Sequence, residues 1–140
     1  MKPLVILGVL IMTAIFLAGC ANVPVPSQGQ NPIGAGVPGP VVTPPLTIAV
    51  DVAVMQKDSV DSTVDVVFGG GNGQVQVSSC NVVFTRSDGT SETRTLKPEK
   101  GATVTFQGTK GTDRVEVSVT MKDGKTYRII DQMVPYRTRG

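Results

Sequence analysis

Cys20 and Cys80 are the only thiols in a chain of 140 residues that has no histidine and no tryptophan. Without histidine, the commonest general base and the commonest transition-metal ligand are both missing. A thiol acts as a nucleophile only as its thiolate. Cys80 stands in the apolar frame Cys80, Val82, Phe84. That frame suits a buried thiol behaving as a small hydrophobe, with pairing between chains as the other use open to an odd exported cysteine. Asp58, Asp61 and Asp65, with Asp51 nearby, could offer oxygens to calcium, which takes roughly six to eight of them. Their spacing matches no EF-hand loop and Lys57 sits among them, so solvated turn residues are the favoured reading. "GGGNG", from Gly69 to Gly73, could cradle a phosphate only if a helix followed it, and a P-loop would add a lysine. No helical pattern follows, and a glycine loop or bulge between strands is expected. With no recognisable carboxylate pair either, no enzyme, metal or cofactor is expected.

Cys20 sits in a different context. Lys2 and the amino terminus supply positive charge, Leu4 to Phe16 form an apolar run, and Leu17-Ala18-Gly19 precede the thiol. This layout is that of an export signal, shorter than the roughly 20 apolar residues of a membrane-spanning helix. "LAGC" resembles the lipobox of prokaryotic lipoproteins at all of its positions. The resemblance implies that residues 1–19 are a removable signal peptide and that Cys20, lipidated by groups such as palmitate, becomes the first residue of the mature chain. Two acyl chains hold far better than one, since each buried methylene adds about 0.8 kcal/mol. A signal retained as a plain membrane anchor, counted from Leu4 to Val23, is the alternative. Both place the remainder outside the cytoplasmic membrane, in the cell envelope.

Residues 20–45 are then the lipidated cysteine and a linker. Pro24, Pro26, Pro32, Pro38, Pro40, Pro44 and Pro45 alternate irregularly with glycines and valines, and no charge interrupts them. Proline removes backbone donors and glycine costs entropy to order, so this composition predicts a disordered tether joining the domain at Leu46. Its reach is on the order of 75 Å in polyproline form and about 25–30 Å as a coil.

From Leu46 to Gly140 the pattern becomes period 2. Leu46, Ile48, Val50, Val52 and Val54 alternate with small or polar residues, as do Val64, Val66 and Phe68, then Cys80, Val82 and Phe84. Ala102, Val104 and Phe106 follow, then Val115, Val117, Val119 and Met121, and a closing run from Tyr127 to Val134 ends at Pro135. Asp88-Gly89 and Asp123-Gly124 mark tight hairpins, and the polar run "SETRTLKP" reads as an edge strand. About seven strands with short turns predict an antiparallel immunoglobulin-like β-sandwich over residues 46–140, of the fibronectin III sort because it lacks a cysteine-to-cysteine staple. The overall charge of +2 is no footprint for nucleic acid, which asks for a clustered basic face. Residues 46–85 are net acidic and residues 86–140 net basic, ending in Arg137 and Arg139. Such a tail either contacts anionic head groups or a polyanionic wall polymer, or is simply solvated.

"VDVVFGGGNGQVQVSS", "TRSDGT", "GTKGTDRVEVSV" and "KDGKTYRIID" resemble the C-terminal β-domain of archaeal type IV pilins. The matching positions are Gly69, Gly70, Gly73, Asp88, Gly89, Gly111, Thr112, Asp113, Val115, Asp123, Gly124 and Asp131. The resemblance implies a shared β-domain and an archaeal source. It does not extend to the long polymerising helix of pilins, whose place here is taken by a signal and a tether. Two functions are expected from the residues and the resemblance together. One is a lipid-anchored module binding an envelope protein or glycan. The other is an accessory component of a pilus or secretion system.

Overall fold

The computed structural model describes residues 36–138; the apolar segment, Cys20 and the first part of the tether lie outside the described residues. Seven antiparallel strands are present among them: β1 (Asp51–Val54), β2 (Thr63–Gly70), β3 (Val77–Thr85), β4 (Ser91–Leu96), β5 (Thr103–Gln107), β6 (Asp113–Met121) and β7 (Thr126–Val134). They form two sheets, β1-β2-β5 and β4-β3-β6-β7. The fourth strand pairs with β3 instead of β5, which gives the three-plus-four division of a fibronectin III-like sandwich.

Alternation accounts for the packing. One parity of β2, β3 and β6 buries Val64, Val66 and Phe68, then Cys80, Val82 and Phe84, then Val115, Val117, Val119 and Met121. Phe84 of one sheet and Phe106 of the other stack across the core with ring centroids 5.1 Å apart. Such an aromatic pair contributes about 0.5–1.5 kcal/mol beyond its buried area. Both expected hairpins occur. Gly89 joins β3 to β4 and Gly124 joins β6 to β7, each at the positive φ that its turn requires.

Two expectations need correcting at the N-terminal end of the domain. The alternation does not continue back to Leu46. Leu46–Ile48 is a single 3₁₀ turn, closed by the Ile48 N–H donating to the Pro45 carbonyl at 2.9 Å, and Leu46 is 84% exposed. Proline before Leu46 holds the chain in a turn and keeps it out of the ladder, so the strand starts at Asp51. Nor do residues 36–45 join the domain only at Leu46. The Gly39 N–H donates to Asp131 Oδ2 at 2.7 Å, the Val42 N–H donates to the Arg128 carbonyl at 2.8 Å, and Pro44 is buried. This stretch runs antiparallel along β7 as a strap. Pro38 and Pro40 cannot donate, so few main-chain bonds hold it.

Candidate functional site

β6 carries its inward parity one residue beyond the apolar run. Asp113 shares the buried frame of Val115, Val117 and Val119, and its side chain is fully buried. The β1–β2 loop brings Lys57 to it, also with its side chain fully buried. Lys57 Nζ donates to Asp113 Oδ2 at 2.6 Å, to the Thr109 carbonyl at 3.0 Å and to the Gly111 carbonyl at 2.8 Å. Those three bonds use every ammonium donor. Asp113 also accepts from the Ser87 N–H at 2.9 Å, the Thr109 N–H at 2.8 Å and the Thr109 hydroxyl at 2.6 Å. Burial alone would push the Asp113 carboxyl up. The Lys57 ammonium, then the Thr109 hydroxyl and the two amides, outweigh burial and hold it below its ordinary value. A carboxylate so stabilised is a poor general acid, and an ammonium with all donors engaged is no nucleophile. The pair locks the β1–β2, β3–β4 and β5–β6 connections together at one end of the sandwich.

A second carboxylate is buried on β7, on the outer face of its sheet. Asp131 lies directly opposite Glu116 of β6, a like-charged pairing that would be unfavourable alone. Arg114 resolves it, donating from Nε to Asp131 Oδ1 at 2.7 Å and from Nη2 to Oδ2 at 2.6 Å. Arg114 and Arg128 also lie 3.4 Å and 3.6 Å from Glu116. Burial opposes ionisation of Asp131, but Arg114, the Gly39 N–H and Arg128 together lower its carboxyl. The strap is thereby pinned to the sheet. A Cβ at residue 39 would come within 2.7 Å of Arg128 Nη1, so the end of that side chain would have to shift to admit one.

The two seams where one sheet's edge meets the other's are unlike. At the β4–β5 seam, Arg86 Nε donates to the Gln107 carbonyl at 2.7 Å and Arg94 Nη1 donates to the Thr105 carbonyl at 2.6 Å. Both guanidiniums pair with Glu92, and they lie over the Phe84 and Phe106 rings respectively. Two carbonyls of the edge strand β5 are therefore capped by side chains. At the β1–β7 seam there is instead an open cleft of about 160 Å³. Met55, Gln56, Gln132, Met133, Pro135 and Arg137 contribute to its walls. Beside it, the Tyr136 hydroxyl donates to the Ser59 carbonyl at 2.8 Å and holds the chain after β7 against the β1–β2 loop.

The residues singled out by sequence fall as follows. Cys80 is fully buried, and burial pushes its thiol up to about 11. Asp58, Asp61 and Asp65 do not converge. Asp58 Oδ1 accepts from the Val60 and Asp61 N–H groups, a turn of its own, while Asp65 accepts from Thr105 Oγ1. Among the described residues no three side chains of a kind that ligates metal come together. Gly69 and Gly70 end β2, and a short 3₁₀ turn, Gln74–Gln76, follows the loop. Cys20 lies outside the described residues. Sequence reading missed Lys57, placed in a turn, and the burial of Asp113 and Asp131. For Asp113 a signal existed, since it occupies the inward parity of its strand.

No family model matches this chain. No curated protein matches it either. Among solved structures it is similar to a polysaccharide deacetylase from Bacillus cereus, with a TM-score of 0.46 and 13% sequence identity over 62% of this chain. The match covers 30% of the deacetylase chain, so this chain spans less than a third of that enzyme.

Proposed function

We propose that this chain is an extracytoplasmic lipoprotein, anchored to the cell membrane through Cys20, that displays a small β-sandwich as a binding or structural module of the envelope. The observation that carries the module reading is how the buried charged groups are used. Lys57, Asp113 and Asp131 are each satisfied by partners inside the fold, while the β1–β7 seam is left open. Buried charges committed to the scaffold favour rigidity and recognition over proton or acyl transfer. The anchor reading rests on "LAGC" and the apolar run before it.

Metabolic labelling with an alkynyl fatty acid tests the anchor. Wild-type chain is expected to carry the label and partition with membranes, and Cys20→Ala to lose the label. Unlabelled mature chain beginning at Met1 would refute lipidation. Crosslinking on whole cells followed by affinity purification tests the module. Recovery of an envelope protein or glycan supports it. Recovery of pilins or secretion components instead favours an accessory role in a pilus or secretion system.

A further inference from the structure

We propose that the β1–β7 cleft receives an extended peptide segment of a partner protein, seating one aliphatic side chain against Met55 and Met133 and a neighbouring carboxylate on Arg137. This rests on the binding-module reading and names the partner's chemistry.

Size decides first. The cleft holds about 160 Å³. Pockets for cofactors and drug-sized ligands run to about 300–1,000 Å³, whereas an apolar cavity of about 150 Å³ accepts a benzene-sized group. A single side chain fits within it. Wall chemistry comes next. Met55 is 51% exposed, and it faces the same cleft as Met133. Methionine is flexible and polarisable, and it recurs where a surface must adapt to a side chain it does not covalently hold.

Charge then selects the neighbour. Among the residues lining the cleft none is acidic. Lys57 contributes to the wall, but its ammonium is neutralised by Asp113. Arg137 has no hydrogen-bond or ion-pair partner among the described residues. A guanidinium unopposed among the described residues, at the rim of a cleft walled by both methionine and glutamine side chains, fits a carboxylate, which it can hold through paired N–H donors.

The seam supplies the extended geometry. Peptides add along exposed sheet edges through main-chain bonds, with alternate side chains entering pockets. Arg86 and Arg94 cap β5 at the opposite seam. On β7 the strap's main-chain and latch bonds reach Arg128 and Asp131, and none of them reaches Gln132–Val134, the part of the edge beside the cleft.

The test uses the full chain in lipid nanodiscs, with methionine methyl groups observed by NMR. The probe is N-acetyl-L-leucine, which carries one aliphatic side chain and one carboxylate. Its leucinamide analogue, lacking the charge, is the comparison. Met55 and Met133 methyls are expected to shift with the acid, saturating on the order of millimolar, as suits a ligand this small. Met121, buried in the core, is expected not to move. Arg137→Gln and the amide are each expected to weaken binding about tenfold. Silent Met55 and Met133 methyls, or equal affinity for acid and amide, would overturn the proposal. So would methyl shifts driven by anionic lipid alone, or by protein concentration alone. These readings are independent of crosslinking on whole cells: recovery of an envelope partner there with silent methyls here would sink this site alone, so its failure is distinguishable from failure of the binding-module reading.

Discussion

Removing either partner of the Lys57–Asp113 pair is expected to destabilise the domain, and the two losses should be unequal. Breaking a buried ion pair from one side costs about 3–5 kcal/mol, because the other charge stays buried. Lys57→Met leaves Asp113 with the Ser87 N–H, the Thr109 N–H and the Thr109 hydroxyl. The carboxylate keeps most of its stabilisation, so the loss should lie near the lower bound, about 3 kcal/mol. Asp113→Ala strips Lys57 of its countercharge, leaving only two carbonyls. It also deprives three further donors of their acceptor, each such loss costing about 1–3 kcal/mol. The total should reach at least about 5 kcal/mol, comparable to the whole stability of many domains. Lys57→Met should therefore lower Tm by roughly 12–24 °C, at about 4–8 °C per kcal/mol, and Asp113→Ala should leave little folded protein. Thermal melts followed by far-UV circular dichroism measure the Tm shift, and urea titration measures the free-energy loss. The double variant Lys57→Met with Asp113→Leu should fall between wild type and Asp113→Ala, since it removes the stranded ammonium but not the stranded amides. If Asp113→Ala proved as mild as Lys57→Met, or both cost under about 1 kcal/mol, the account of a closed, buried network would be wrong.

Three further outcomes follow from the same geometry. Asp113 and Asp131 are held below their ordinary values in the fold, so on acidification the unfolded chain takes up protons first. The urea midpoint should be flat down to about pH 4, the ordinary carboxylate range, and then fall as pH drops through the folded values. Cys80, pushed up to about 11 by burial, should resist iodoacetamide at pH 8 in the native protein and react in urea. Its contribution to stability is complete below the ordinary thiol value and should be lost as pH climbs from about 9 towards 11. Asp131→Ala removes the latch on Gly39, so hydrogen exchange at the Gly39 and Val42 amides should quicken by at least about tenfold. Unchanged exchange there would mean the strap is held by something other than Asp131.

Much of the sandwich was legible because strand periodicity is local. A residue and its neighbour two positions on share a face, so Val64, Val66 and Phe68, or Val115, Val117 and Val119, reveal their buried side without reference to the rest of the chain. Asp-Gly pairs likewise encode hairpins within four residues. The reading failed where a local pattern was overridden. Leu46 continues the alternation on paper, yet the prolines before it commit the backbone to a turn. Residues 36–45 have the composition of a tether, but a few bonds to an already formed sheet hold them, something composition does not register.

The same distinction separates what the amino-acid order determined from what only the folded chain decided. By itself the order set the all-β class, the inward faces, the hairpins and the buried thiol, since each depends on neighbours within a few positions. It also carries the expectation of export and of lipid at Cys20. The tertiary structure alone brought Lys57 to Asp113 across 56 positions and Gly39 to Asp131 across 92. It also left one seam capped by arginines and the other open. Contacts at such separations obey no period. They exist only once the sheets have stacked, when burial makes each charged group depend on a partner that no local pattern names.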